Sequence, residues 1–208
     1  MKLLTVFVLL LFSIVAAGQT FEGKIVYQNT YRNKKSHLIN SLLGSMLGTR
    51  QEYYIKGGNY KSVTNGSMVQ WQLYINSENK LYNKFASQEA LYWNDGLENG
   101  DSVTGATLHK NEIGLLGYPC DELILHCKGG DQRYYFNPAL AVNPELYRAH
   151  RFGNWYDVLS RTRALPLKLI VVTDSFITES IATEIVPMKL PDEFFRLPEH
   201  LPVRKNSF

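Results

Sequence analysis

The side chains best suited to chemistry in this 208-residue chain are two cysteines, five histidines and nineteen acidic residues. Their spacing argues against most of what such groups do. A cysteine nucleophile needs an imidazole within hydrogen-bond reach. The segment Cys120–Cys127, CDELILHC, reads as a strand, so Cys120 and His126 share a face but lie roughly 20 Å apart along it, while Cys127 and His126 point to opposite faces. The same geometry keeps the two thiols from each other, because a disulfide needs Cα atoms within roughly 7 Å; two free thiols are expected. His37, His109, His126, His150 and His200 each stand alone, and no His-x-x-x-His, Cys-x-x-Cys or acidic ladder occurs. Neither a Gly-x-Ser-x-Gly elbow nor a phosphate-cradling glycine loop appears. Asp192-Glu193 and Asp121-Glu122 are the nearest approaches to paired carboxylates. No catalytic residue, metal ligand or cofactor site is expected, and the chain reads as a non-enzyme.

What remains is apolar and aromatic: 13 tyrosines, with Trp71, Trp93 and Trp155 in or beside strand-like segments. Tyr and Trp build binding surfaces by offering large contact area with a polar handle, and they also favour strands for packing alone. The elements that must position them alternate with period two. Phe21, Ile25, Tyr27 and Tyr31 oppose Glu22, Lys24, Gln28 and Arg32; Val69, Trp71, Leu73 and Ile75 oppose Gln70 and Gln72. Further strands are expected over 51–56, 60–65, 80–85, 89–93, 102–110, 120–127, 132–136, 167–173 and 176–186. Gly57-Gly58, Asn65-Gly66, Asn94-Asp95-Gly96 and Gly129-Gly130-Asp131 sit between them, residues that accept the positive φ of tight hairpins. Short strands so punctuated predict an antiparallel meander, as in a sandwich or barrel. One segment departs from this. Ser36–Gly48 places Leu38, Ile39, Leu42, Leu43, Met46 and Leu47 at helical spacing, opposite the small uncharged Asn40, Ser41, Gly44 and Ser45. Shorter helical turns are expected near 144–150, 155–163 and 191–196.

Residues 1–18 have the three parts of a secretory signal peptide: Lys2, an apolar run of 13 from Leu3 to Val15, and Ala16-Ala17-Gly18 at the cleavage point. The run is shorter than the ~20 residues of a membrane span. No cysteine follows for lipid attachment, and no transmembrane segment is expected after cleavage. Residues 19–208 then form a single β-rich domain. The formal net charge of +3 is spread out, with no basic run longer than Lys34-Lys35, so nucleic acid is excluded as a main partner.

The order of short motifs carries a resemblance. Phe21-Glu22-Gly23-Lys24-Ile25-Val26-Tyr27 is followed by Leu115-Leu116-Gly117-Tyr118-Pro119-Cys120 and Arg133-Tyr134-Tyr135-Phe136. Ala164-Leu165-Pro166-Leu167-Lys168 and Pro191-Asp192-Glu193-Phe194-Phe195 come last. The series resembles uncharacterised exported bacterial proteins of the GLPGLI type, which are similar in turn to LolA/LolB-like lipoprotein carriers. The resemblance implies a mainly β fold with a few short helices: an antiparallel, strongly curved sheet, an unclosed half-barrel, covered by an amphipathic helix. It implies a protein of the periplasm or outer-membrane periphery that shelters a lipid, acyl chain or apolar peptide, or else a self-filled module that meets an envelope protein partner. On that reading Leu38, Ile39, Leu42, Leu43, Met46 and Leu47 form the lid, and Val69, Trp71, Leu73 and Ile75 line the cavity. Intact-mass measurement of the exported protein is expected to give a chain starting at Gln19 without an acyl group; a retained 1–18 segment or an added lipid mass contradicts this.

Overall fold

The alternating segments assemble into one sheet. The computed structural model describes residues 20–36 and 38–207, with the side chain of Leu38 also left out. The expected signal peptide, the expected terminus at Gln19 and His37 therefore lie outside the described residues. The strands are β1 (Gly23–Asn33), β2 (Arg50–Lys56), β3 (Asn59–Thr64), β4 (Val69–Ile75), β5 (Lys80–Phe85), β6 (Leu91–Asp95), β7 (Val103–Leu115), β8 (Tyr118–Cys127), β9 (Gly130–Ala141), β10 (Ala164–Val172), β11 (Phe176–Pro187) and β12 (Val203–Lys205). They run in the order β12-β6-β5-β4-β3-β2-β1-β11-β10-β9-β8-β7, an open sheet of 12 strands. Every pairing is antiparallel except β12 with β6. Two meanders, β2–β6 and β7–β10, thus flank a central pair in which β1 meets β11 along its whole length, from Gly23 opposite Pro187 to Asn33 opposite Phe176.

Hairpin chemistry sets the register. Gly57-Gly58 pairs Lys56 with Asn59 and Ile55 with Tyr60, which brings Tyr27, Tyr53, Tyr60 and Tyr74 onto one face. That face is buried under the segment joining β9 to β10. The segment contains 3-10 turns at Pro144–Tyr147 and Phe152–Asn154 and the helix α2 (Trp155–Thr162). Tyr147, Val158 and Leu159 from this segment join the apolar clusters of the sheet. The opposite face is covered near its other end by the C-terminal strap, where Leu190 and Phe195 pack on Leu73 and Tyr82. Cys120 and Cys127 stand at opposite ends of β8 as free thiols, and burial raises the Cys127 thiol to about 11.

The helix expected as a lid does not cover the buried face. It forms α1 (Leu38–Leu47), ended by Gly48 at φ +93, where a Cβ would come within 2.8 Å of the Gly66 nitrogen. It packs beside β1, and none of its described apolar side chains enters an apolar cluster. The reason is polar. β2 stops pairing at Arg50 opposite Gln28, which leaves the Asn29–Asn33 edge of β1 in need of partners. Asn40 Oδ1 accepts from the Asn33 N–H at 2.7 Å, and the Gly48 carbonyl accepts from Tyr31 Oη at 2.9 Å. Asn40 is the α1 side chain that reaches β1. The other small polar residues line an open groove beside it, with Ser41 and Ser45 exposed, and Leu42 is left 57% exposed.

Candidate functional site

On the buried face the tyrosines form a stack. Tyr60 and Tyr74 oppose each other across β3 and β4, with ring centroids 5.2 Å apart. Tyr53 lies 5.1 Å from Tyr60, and His150 stacks on Tyr74 at 4.0 Å. Tyr60 Oη and His150 Nε2 share a 2.7 Å hydrogen bond, and His150 is fully buried. Burial holds its imidazole down to about 3, so it is neutral at physiological pH. Tyr147 closes this end by donating to the Gly57 carbonyl at 3.0 Å. The stack fills most of the space beneath the 142–163 segment with the protein's own side chains.

Where the stack ends, a cleft of about 190 Å³ remains at the junction of the two meanders. Its apolar wall is Tyr53, Tyr60, Trp155, Leu165, Pro166 and Leu169; Gln51, Ser62, Gln72 and Ser180 add neutral polar groups, and no charged residue among the described ones lines it. Most of the polar groups there are already partnered. Tyr27 Oη donates to the Pro166 carbonyl at 2.7 Å, Gln51 Nε2 to Ser62 Oγ at 2.9 Å, and Gln72 Nε2 to Asn83 Oδ1 at 2.7 Å. Two are not. The Tyr53 hydroxyl and the Trp155 Nε1–H are buried and make no hydrogen bond. A buried polar group without a partner costs about 1–3 kcal/mol, so two in residues lining one cleft call for an explanation. Burial and the neighbouring tyrosines raise the Tyr53 phenol well above its ordinary value, which keeps it a neutral donor.

The expected cavity lining is placed elsewhere. Val69, Trp71, Leu73 and Ile75 share the opposite parity of β4 from Gln72, which lines the cleft, and from Tyr74. Trp71, Leu73 and Ile75 pack in the cluster under the C-terminal strap. Both faces of β4 are buried, and the apolar parity serves the strap. Ile39, Leu42, Leu43, Met46 and Leu47 of the expected lid do not line the cleft.

Two polar groupings escaped the sequence because they need cross-strand register. Thr107 Oγ1 lies 3.1 Å from His126 Nε2, whose Nδ1 lies 3.0 Å from Asp131. The order is that of a hydroxyl–imidazole–carboxylate relay. His126 and Asp131 are nevertheless about two-fifths exposed, so water weakens the electrostatics such a relay needs. His109, Glu112 and Glu122 bring three donors within 4.8 Å, a set that could hold a cation. Buried Glu122 already faces the His109 imidazole at 3.2 Å and the Arg133 guanidinium at 3.4 Å, and its charge is balanced by that pairing.

No family model matches the chain, and no curated protein does. One solved structure that it resembles is described as "Structure of PNGF-II in P21 space group", with a TM-score of 0.48 and 11% identity over 90% of this chain. The chain spans 32% of that structure's chain, and a likeness this distant carries no argument.

The His150 site has a pH signature. Its folded pKa lies below that of the unfolded chain, so the unfolded state binds the extra proton, and stability present above about pH 6.5 is lost as pH falls. Between pH 6.5 and 5, chemical denaturation of the wild type is expected to show a loss of up to about 1.4 kcal/mol per pH unit. His150→Gln is expected to be less stable at pH 7 but to lack that slope; equal slopes contradict the assignment.

Proposed function

We propose that this chain is an exported, non-enzymatic binding protein whose cleft takes an uncharged ligand with an apolar body and a carbonyl-type acceptor. The observation that carries this reading is the pair of buried, unpartnered donors, Tyr53 Oη–H and Trp155 Nε1–H, in two residues that line one cleft. Indole nitrogen can only donate, so the group it meets must accept. The absence of lysine or arginine from the lining disfavours a carboxylate, which would lose its hydration with nothing in return. The size limits the ligand: about 190 Å³ holds roughly six groups of water size at ~30 Å³ each. An acyl amide or ester therefore fits with its carbonyl and first few carbons inside and the rest of its chain outside. The envelope setting and the half-barrel curvature belong to this proposal and rest on the leader and the ordered motifs. A self-filled interaction module is the second reading, favoured by the Tyr60–Tyr74–His150 stack that occupies the rest of the face.

Hexanamide separates the two, with hexanoate as the charged control. Calorimetric titration is expected to give a roughly millimolar Kd for hexanamide, within the range for eight heavy atoms, and weaker binding of hexanoate. Tyr53→Phe should weaken hexanamide binding about three- to tenfold while leaving the free protein as stable or more so, since it removes a buried unpartnered hydroxyl. No binding, or undiminished binding by the variant, contradicts the carbonyl-binding cleft and leaves the self-filled module.

A further inference from the structure

Leu43, Met46 and Leu47 of α1 are half-buried, but the exposed side of the helix still carries large apolar side chains. Its small polar residues Asn40, Ser41, Gly44 and Ser45 line the groove against β1, while Ile39 and Leu42 are 38% and 57% exposed. Met68 extends the patch: its N–H donates to the Met46 carbonyl at 2.9 Å, and its side chain is 38% exposed. The charges beside it are one-signed. No acidic residue occurs between Glu22 and Glu52. Arg32, Lys34 and Lys35, just before the helix, are exposed and make no ion pair among the described residues. They sit at the positive end of the helix dipole, and the first turn holds no acidic side chain, an arrangement that weakens a helix. Neither the exposed Ile39, Leu42 and Met68 nor the cations gain much within the fold.

Both gain at an anionic membrane surface. An interfacial helix lies in the plane of the bilayer with its apolar side chains among the acyl chains and basic residues at the headgroups. No described helix is long and apolar enough to cross a membrane, which leaves the surface mode for α1. We infer that α1 docks the protein on anionic lipid, with Ile39, Leu42 and Met68 inserted and Arg32, Lys34 and Lys35 against the phosphates. This inference is independent of the cleft, which lies on another part of the sheet.

Vesicle flotation tests it on the protein recovered from the exporting cell, its N-terminus fixed by intact mass. The protein is expected to float with phosphatidylglycerol–phosphatidylcholine vesicles at low salt, poorly with phosphatidylcholine alone, and less as salt shortens the electrostatic range. Lys34→Gln with Lys35→Gln should lower the partition coefficient about 25-fold, at about fivefold per basic residue. Leu42→Asp should lower it tenfold or more, and melting temperatures should stay near wild type because all three side chains are exposed. Absence of flotation with anionic vesicles overturns the inference, as does flotation that Leu42→Asp leaves unchanged. A concentration-dependent dimer that Leu42→Asp dissolves, without vesicle binding, also overturns it and assigns the patch to a second copy of the chain.

Discussion

β1 and β11 pair over the full length of β1, although their partners are as far apart in sequence as Gly23 and Pro187. Each meander can form from local hairpins, but only this pairing joins them into one sheet. Closing so long a loop costs conformational entropy that local contacts do not offset, so the junction needs its own burial. Ile25, Tyr27, Leu165, Leu167 and Ala182 supply it in one apolar cluster. The cleft straddles the same junction, with Gln51, Tyr53, Ser62 and Gln72 from one meander, Leu165 and Leu169 from the other, and Tyr27 and Ser180 from the central pair. The cleft is therefore a consequence of the long-range pairing.

A sheet this wide has two faces to cover, and the chain covers them by different means. One face receives the 142–163 segment and is packed with tyrosines, whose hydroxyls must each find a partner in a dry interior. Tyr27, Tyr60, Tyr74 and Tyr147 find one in Pro166, His150, Asn79 and Gly57. Tyr53 does not. The other face takes the strap, where Lys61 lies 4.9 Å from the ring centre of Phe194 and burial lowers its amine. α1 joins neither cover; it lies beside the β1 edge beyond Gln28, where Asn40 accepts from the Asn33 N–H and Leu42 stays exposed.

The strands were legible because period-two alternation and Gly or Asn turns are local signals. Gly57-Gly58 and Asn65-Gly66 mark the hairpins bounding β3 where the structure has them. Which parity of β4 faces the cleft was not legible from hydrophobicity, since Trp71 and Leu73 are the more apolar set and yet serve the strap. A signal was present in the register: pairing across Gly57-Gly58 sets Tyr60 opposite Ile55, and extending the ladder aligns Tyr60 with Tyr74. The 3-residue β12, paired parallel to β6, has no alternation long enough to detect. The Thr107–His126–Asp131 chain depends on the register of three neighbouring strands, and the orientation of α1 on edge hydrogen bonding, which no local pattern encodes.

The account turns on the claim that the cleft's donors serve a ligand, and the Trp155 indole N–H reports on it directly. The protein has three tryptophans, so its ¹⁵N-correlation spectrum contains three indole signals, with that of Trp155 assigned by Trp155→Phe. On titration with hexanamide the account predicts that the Trp155 signal moves in proportion to occupancy while those of Trp71 and Trp93, packed on or beside the strap, stay in place. A Trp155 signal that does not move up to saturating hexanamide, or movement confined to Trp71 and Trp93, contradicts it.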